Sequence, residues 1–433
     1  MSRKTEVLKY IGKASLLLMA GILLGTVLMI GVYALPTLPM RENVARSSAI
    51  FDYEGVYPQL VQGYKSSQLD NCTDAIMLGT AIYSETDNGI IEKALRNKRV
   101  EYTGDSPVQS VNDYANDVEG MEELEYTVEY PRYWHGYLLV LKPLLLFFDF
   151  GDIRYLNMIA QVLLAGWLGA LLYEKGRFRL LLPFGLLVLV LNPAAVMLSF
   201  QFSSVYYIML AASAVLLLND KKKWLQNEGL LLFFMGIGIL TSFFDFLTYP
   251  VITLGVPLAI AVLCNHTIQL RKMVGVILSW GSGYAGMWMG KWLVSSILLK
   301  GNMISDAVNQ LKVRSSMELE GQELSWAEVL WKNVRVTMKW PYILLGAILL
   351  LWGIYAVRRY GIEKRGQGVL GISIRMLLVS GLPLGWYLIA GNHSYEHYWF
   401  TYRALGVSFF ALAAWWMQLP GMGKSRKANY RAK

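Results

Sequence analysis

Long apolar runs, separated by short polar stretches, set the pattern of the chain. The run "ASLLLMAGILLGTVLMIGVYAL", which begins at Ala14, exceeds the roughly 18 apolar residues that a helix needs to cross a membrane. Apolar and polar positions do not alternate within such runs, which excludes a lipid-facing β-strand pattern. The pattern therefore predicts an all-α polytopic membrane protein. We predict ten transmembrane helices, at residues 13–35, 152–173, 180–198, 203–218, 229–244, 248–264, 273–298, 341–357, 369–390 and 401–418.

The segments between these runs divide a single membrane domain, residues 1–433. They are a cytoplasmic N-terminus at 1–12, an extracytoplasmic loop at 36–151, helices 2–7 at 152–298, a second extracytoplasmic loop at 299–340, helices 8–10 at 341–418 and a tail at 419–433. In the first loop, the apolar stretch 137–150 is short and contains Lys142 followed by Pro143. It predicts a helix lying in the outer membrane interface. In the second loop, "MELEGQELSWAEVLWKNVRV" predicts an amphipathic helix over the outer face.

Charge gives the predicted helices an orientation. The connection "DKKK" at Asp220–Lys223, the stretch Arg358–Arg365 and the tail "GKSRKANYRAK" are basic. With the N-terminus inside, ten spans bring all three to the cytoplasmic side, as the positive-inside rule requires. Residues 36–135 carry 17 acidic and 8 basic residues, a net charge of −9, and the remainder carries +18. The total of +9 therefore reflects orientation and attraction to membrane lipids, not nucleic-acid binding.

One polar boundary, "AGNHSYEHYWFTYRALG" at Ala390–Gly406, concentrates titratable and aromatic side chains. Its members of interest are His393, His397, Tyr402 and Arg403. Ionisable residues beside hydrocarbon are costly and tend to face a protein-lined or wet cavity. Further ionisable residues at the same predicted depth are Asp245, Lys291, Arg154 and His135. We predict one cavity that opens outward; the alternative is an interfacial aromatic belt with structural, hydrogen-bonded histidines.

The first extracytoplasmic loop supplies carboxylates. The stretch "QLDNCTDAIML" places Asp70 and Asp74 four residues apart, on one face of a helix, and "FDYEG" contains Asp52 and Glu54. Paired carboxylates suit general-base catalysis or cation binding. The alternative for Asp70 is that it caps the helix that Asp74 begins. The glycine-containing "GSGYAG" at Gly281–Gly286 lies within a predicted span and predicts close helix packing.

These features together resemble the integral-membrane GT-C glycosyltransferases. The resemblance rests on the acidic first outer loop, the interfacial helix preceded by His135, and the stretches "LDNCTDAIML", "RYWHGYLLVLKPLL", "DFLTYP" and "NHSYEHYWFTYR". In layout the chain is similar to the protein O-mannosyltransferase and aminoarabinose-transferase branches, and in these stretches to uncharacterised multi-span proteins of Gram-positive bacteria. The resemblance implies a GT-C-like fold in a bacterial plasma membrane, with both termini cytoplasmic.

The resemblance also implies a function, which is transfer of a sugar from a polyprenyl-phosphate carrier to a cell-envelope acceptor. It implies no cofactor, although a divalent metal is compatible with it. Asp70 is the implied general base and Asp74 supports it. The family's Asp-Glu pair after the first span is replaced here by "RENVARSS", so Asp52 and Glu54 are the alternatives. The implied donor-phosphate residues are Arg403, Lys291 and Arg154. The predicted depth adds the candidate cavity residues His393, His397, Tyr402, Asp245 and His135.

Two other classes of function stay open. A transporter or lipid flippase calls for ionisable or helix-breaking residues near mid-membrane in paired spans, whereas Pro193 and Pro250 lie near predicted outer ends. A non-catalytic membrane scaffold, whose outer loop binds a partner, is compatible with the same pattern.

Overall fold

The computed structural model describes most of the chain. The described residues are 3–84, 88–100, 106–116, 127–220, 222–226, 228–265, 268–319, 321–362 and 368–421. The predicted basic tail "GKSRKANYRAK" lies outside them, as do residue 221 of "DKKK" and the end of the basic stretch Arg358–Arg365.

Within these residues the protein is helical almost throughout. The helices are α1 (Arg3–Tyr33), α2 (Leu38–Arg46), α3 (Ser48–Glu54), α4 (Asn71–Ile82), α5 (Ile90–Arg96), α6 (Pro107–Asn116), α7 (Leu138–Leu145), α8 (Phe150–Glu174), α9 (Leu181–Leu191), α10 (Pro193–Leu198), α11 (Ser203–Leu218), α12 (Glu228–Phe244), α13 (Ile252–Cys264), α14 (Leu270–Leu298), α15 (Met303–Ser315), α16 (Trp326–Thr337), α17 (Trp340–Tyr360), α18 (Gly368–Ser380), α19 (Leu382–Ile389), α20 (Gly391–Glu396), α21 (Tyr398–Thr401) and α22 (Gly406–Gln418). The strands form two antiparallel pairs, β1 (Arg99–Val100) with β2 (Thr127–Val128) and β3 (Glu318–Leu319) with β4 (Gln322–Glu323). The prediction of an all-α protein is confirmed.

Five helices in the described residues are long and apolar enough to cross a membrane. They are Thr5–Tyr33, Phe150–Glu174, Phe200–Leu218, Trp340–Tyr360 and Leu370–Ile389. Three shorter apolar helices lie at Phe178–Leu191, Glu228–Phe244 and Ile252–Cys264. Large apolar side chains such as Leu24 on α1, Leu163 on α8 and Leu351 on α17 are exposed, as expected for helices that face lipid. These helices support a membrane protein, and the count of ten spans stays a prediction.

Two of the predicted spans are each divided between two helices. The predicted span 180–198 ends with α9, because Asn192 adopts a left-handed conformation (φ 58°) and Pro193 then begins α10. Proline supplies no N–H and so cannot continue the hydrogen-bond ladder of the preceding helix. The predicted span 369–390 is divided at Gly381 between α18 and α19, although Gly381 keeps a helical conformation and Leu370–Ile389 is long enough to cross a membrane. Hydropathy does not register these breaks, since the residues on both sides are apolar.

The predicted first extracytoplasmic loop, called the first outer segment below, contains a folded unit, which is the outer unit of the following text. Helices α2 to α7 contribute to one hydrophobic core, which includes Phe51, Leu78 and Leu141. Lys142 is buried in this unit and donates to the carbonyl of Ala81 (2.6 Å), at the C-terminal end of α4. A cation at that end complements the helix dipole. The helix predicted within 137–150 is present as α7, and its buried face belongs to this core. Its position in the membrane interface stays a prediction.

Small residues allow α12 and α14 to pack closely. A Cβ atom at Gly238 would collide with the backbone oxygen of Trp280, and one at Gly283 would collide with that of Met235. Neither collision can be relieved by a side-chain rotation, because backbone atoms are involved. Close helix packing at "GSGYAG" is therefore as the sequence predicts, and it holds α14 against α12.

The predicted second extracytoplasmic loop, called the second outer segment below, contains α15, the β3–β4 hairpin and α16. The predicted amphipathic helix is α16, which begins with a capping box between Ser325 and Glu328. Asn333 on α16 donates to the carbonyl of Ser394 on α20 (2.9 Å). This contact docks the second outer segment on the polar stretch between α19 and α22.

Candidate functional site

The predicted carboxylate pair lies at the N-terminal end of α4, where both carboxylates bind backbone N–H groups. Asp70 caps α4 by accepting from Thr73 (3.0 Å). Asp74 accepts from the N–H groups of Phe200 and Gln201 (3.0 Å each), which begin the helix that continues as α11. Burial raises the pKa of Asp70 and raises the pKa of Asp74 to about 7. The cap interpretation of Asp70 is confirmed, and its role as general base stays a prediction.

The alternative carboxylates lie nearby but contact different partners. Nη1 of Arg154 lies 2.8 and 3.0 Å from the two carboxylate oxygens of Glu54, and Nη2 donates to Oδ1 of Asn71 (2.9 Å). Asp52 accepts from Nδ2 of Asn112 (2.8 Å). The Arg154 side chain is only 6% exposed. This ion pair therefore holds α3 and α4 against α8 and neutralises a buried cation.

Glu54→Gln is expected to lower thermal stability, because the variant removes the carboxylate from a buried guanidinium. Hydrogen bonds to charged groups contribute about 1.5–3 kcal/mol, and the free energy of unfolding should fall by about that amount. Thermal unfolding of the purified protein in detergent measures it. Asp52→Asn is the control, because an amide oxygen can still accept from Asn112. Equal melting temperatures for Glu54→Gln and wild type would contradict a structural role for the pair.

Arg403 and Tyr402 contact backbone carbonyl groups. Nε of Arg403 donates to Leu191 (2.8 Å), Nη1 to Trp399 (3.3 Å) and Nη2 to Ser66 (3.2 Å). The hydroxyl of Tyr402 donates to the same carbonyl of Ser66 (3.4 Å). Both side chains are fully buried. Arg403 therefore joins α9, α21 and the loop before α4, and no surface of it is open to a phosphate in this arrangement.

Lys291 and His135 also have internal partners. Lys291 on α14 donates to Oδ1 of Asn97 (2.9 Å), which ties α14 to the folded outer unit. Nε2 of His135 donates to the carbonyl of Tyr130 (2.8 Å), and Nδ1 accepts from the hydroxyl of Tyr137 (3.0 Å). Burial lowers the pKa of His135 to about 3, so the ring is neutral and keeps this pair of bonds.

Asp245 follows α12, whereas His393 and His397 belong to the polar stretch between α19 and α22. Asp245 accepts from the N–H (3.1 Å) and the hydroxyl (2.5 Å) of Thr248, which closes a tight turn. Nδ1 of His393 accepts from Nη1 of Arg314 (2.8 Å), and the rings of His393 and His397 are 4.7 Å apart. Burial lowers the pKa of both histidines, to about 4 for His397. These residues all have partners within the protein, and a single cavity that they line stays a prediction.

An open groove of about 1240 Å³ runs along α14, between α1, α13, α15 and α19. It follows α14 from Ile277 to Leu293, a length of about 24 Å at 1.5 Å per residue. Its volume exceeds the roughly 300–1,000 Å³ of ordinary small-molecule sites, and its walls are almost entirely apolar and aromatic. None of the candidate catalytic, phosphate or cavity residues predicted from the sequence lines it, whereas Gly281, Tyr284 and Gly286 of "GSGYAG" do.

A stripe of aromatic residues forms one wall of the groove. Trp280, Tyr284, Trp288 and Trp292 all line it, and successive rings along the stripe are 5.0, 5.5 and 6.1 Å apart. Residues four apart share one face of a helix. This regular spacing was visible in the sequence and is the signal by which the groove could have been found.

Two arginines are the charged residues that line the groove. Arg132 follows β2 and Arg314 lies on α15. The guanidinium of Arg132 lies 5.2 Å from the ring of Tyr130 and 3.4 Å from the carboxylate of Asp306. Burial raises the pKa of Tyr130, and the charges of Arg314 and Arg132 oppose that shift. Trp292, the last ring of the stripe, donates to the carbonyl of Arg132 (2.9 Å). Because the charges of both arginines act on Tyr130, both cations lie near the end of the groove that Trp292 marks.

A search for metal-ligand clusters and comparisons with known proteins add no further residue to the candidate site. In the part of the chain that the structure describes, no three His, Cys, Asp or Glu side chains are placed to hold a metal ion. No family model, curated protein or solved structure matches the chain.

Proposed function

We propose that this protein is a membrane glycosyltransferase that takes a sugar from a polyprenyl-phosphate carrier. The observation that carries the proposal is the apolar groove along α14, with Arg132 and Arg314 at one end. A polyprenyl phosphate has a long apolar chain and one compact anionic group. The groove offers an apolar path of about 24 Å by helix rise and two cations where that path ends.

The two arginines are suited to bind a phosphate group. A guanidinium presents a planar fork of donors that can hold two phosphate oxygens at once. Both arginines belong to segments that the charge pattern places outside the membrane. With the chain in the groove and the phosphate between the arginines, the sugar would lie at the outer face, where a cell-envelope acceptor can reach it.

Asp306 is the carboxylate that we propose as general base. Transfer requires a group that takes the proton from the acceptor hydroxyl as the sugar leaves its phosphate. Asp306 contacts Arg132, which lines the groove, and half of its side chain is exposed. Asp70 and Asp74 do not line the groove, and both accept from backbone N–H groups. The geometry therefore favours Asp306, while Asp70 remains the candidate from the resemblance.

Blocking the groove tests the proposal. Gly281→Phe is expected to reduce transfer from a radiolabelled polyprenyl-phosphate sugar to background, because the ring would occupy the path of the lipid chain. A Cβ atom at Gly281 meets no atom within 4 Å, so the helix itself should tolerate the change. Gly166→Phe is the matched control, since Gly166 is equally unobstructed and lies exposed on α8. Normal transfer by well-folded Gly281→Phe would contradict the proposal, as would lipid binding by wild type without any transfer.

A further inference from the structure

His393 connects a strained turn to one of the two arginines of the groove. Its Nε2 donates to the carbonyl of Leu247 (2.7 Å), and its Nδ1 accepts from Nη1 of Arg314 (2.8 Å). Both ring nitrogens are therefore used, and the two bonds fix one neutral tautomer. His393 itself does not line the groove, whereas Leu247 and Arg314 do.

The turn that presents the carbonyl of Leu247 is held by Asp245. Leu247 has a positive φ of 62°, which costs energy for a residue with a side chain. The carboxylate of Asp245 accepts from the N–H and the hydroxyl of Thr248, so the turn closes around a buried anion. The strained conformation persists because these bonds fix the residues on both sides of Leu247.

We propose that His393 is a positioning residue that holds the guanidinium of Arg314 in the orientation required to bind the phosphate of a polyprenyl carrier. This inference rests on the proposed function, because it assigns the phosphate to the end of the groove. The order of contacts is Asp245, the Leu247 turn, His393, Arg314 and then the phosphate. His393 touches no substrate in this arrangement and acts only through Arg314.

Holding Arg314 in one orientation should increase affinity for the phosphate, because an arginine side chain on an exposed helix is flexible. Arg314 lies on α15, and a free side chain of this type loses rotational entropy when it binds a ligand. An acceptor that already fixes one N–H removes part of that loss before the phosphate arrives. Immobilising one such side chain costs about 0.5–1.5 kcal/mol. Burial and the neighbouring charges keep His393 neutral, as the lowered pKa shows, so Nδ1 remains an acceptor.

Two substitutions at His393 separate positioning from a general structural role. His393→Asn keeps an acceptor oxygen near the position of Nδ1 and loses the bond to Leu247. His393→Gln keeps a donor near the position of Nε2 and loses the acceptor for Arg314. Each variant therefore loses one of two hydrogen bonds. We expect His393→Gln to weaken binding of polyprenyl phosphate roughly 3- to 10-fold, and His393→Asn to bind close to wild type.

The measurement is quenching of tryptophan fluorescence during titration of purified protein with polyprenyl phosphate, and separately with the uncharged polyprenol. Four tryptophans line the groove, so the binding of either lipid should change the tryptophan fluorescence. Only the phosphate should lose affinity in His393→Gln. In an Arg314→Gln background, His393→Gln should have no further effect, because the two residues act in one chain of contacts.

Two results would overturn the inference. Equal losses for His393→Asn and His393→Gln, or parallel losses for the phosphate and the alcohol, would make His393 a structural residue and leave the proposed function intact. If wild type fails to bind polyprenyl phosphate, or binds it no better than Arg314→Gln does, the lipid-carrier function fails and this inference with it. Thermal unfolding of each variant confirms that the comparison is made between folded proteins.

Discussion

Replacing Arg132 and Arg314 together by glutamine is expected to weaken binding of polyprenyl phosphate by about 10²-fold or more. A hydrogen bond to a charged group contributes about 1.5–3 kcal/mol, and the double variant removes both cations that line the groove. The binding of uncharged polyprenol should change little, since the apolar walls are untouched. The tryptophan fluorescence titration measures both affinities in the same preparation.

The matched control for this pair removes two cations elsewhere on the second outer segment. Lys312 on α15 and Arg335 on α16 are exposed and do not line the groove. The double variant Lys312→Gln/Arg335→Gln makes the same change in net charge, so it corrects for general attraction of the anionic lipid. Equal losses in the two double variants would show that the protein attracts the lipid through its overall charge alone.

Asp306→Asn is expected to lower the turnover number by about 10²–10⁴-fold, the usual cost of losing a positioned general base. Affinity for the donor should stay near that of wild type, because the asparagine leaves both arginines in place. A loss confined to turnover separates a chemical role from a binding role. The measurement is sugar transfer at saturating donor, with donor affinity determined in parallel.

Asp70→Asn provides the contrasting variant. Asparagine caps a helix about as well as aspartate does, so the contact of residue 70 with Thr73 survives and stability should be close to that of wild type. We expect near-normal turnover from this variant. If Asp70→Asn abolishes transfer while Asp306→Asn does not, the base lies at α4, as the resemblance implies, and the groove serves only the lipid.

The helical framework could be predicted from the sequence because hydropathy is a local property. The predicted spans 152–173, 203–218 and 273–298 correspond to α8, α11 and α14. The break at Asn192 could not be predicted in the same way, because the apolar pattern continues through α10. The break depends on the left-handed backbone conformation of Asn192 before Pro193. Mean hydropathy over a window of residues does not depend on backbone conformation.

The candidate site was harder to predict, for a physical reason that Arg403 illustrates. A charged residue at a membrane boundary must have partners. The sequence does not say whether those partners are a ligand or backbone carbonyl groups that are distant along the chain. Arg403 binds the carbonyls of Leu191 and Ser66, which are 212 and 337 residues away in the sequence. By contrast, the aromatic residues from Trp280 to Trp292 are spaced four apart, and residues with this spacing share one face of a helix. The stripe could therefore be predicted from the sequence.

The bond between Asp74 and the N–H of Phe200 sets an order of assembly during synthesis. The two residues are 126 positions apart, and a ribosome that adds about 5–20 residues per second needs roughly 6–25 s to cover that distance. During this interval the rest of the outer unit, up to α7, is also synthesised, while the carboxylate of Asp74 lacks its native donors. The outer unit can therefore complete this contact only after the start of α11 has been synthesised. A ribosome stalled before residue 200 would leave the carboxylate of Asp74 without these two N–H donors.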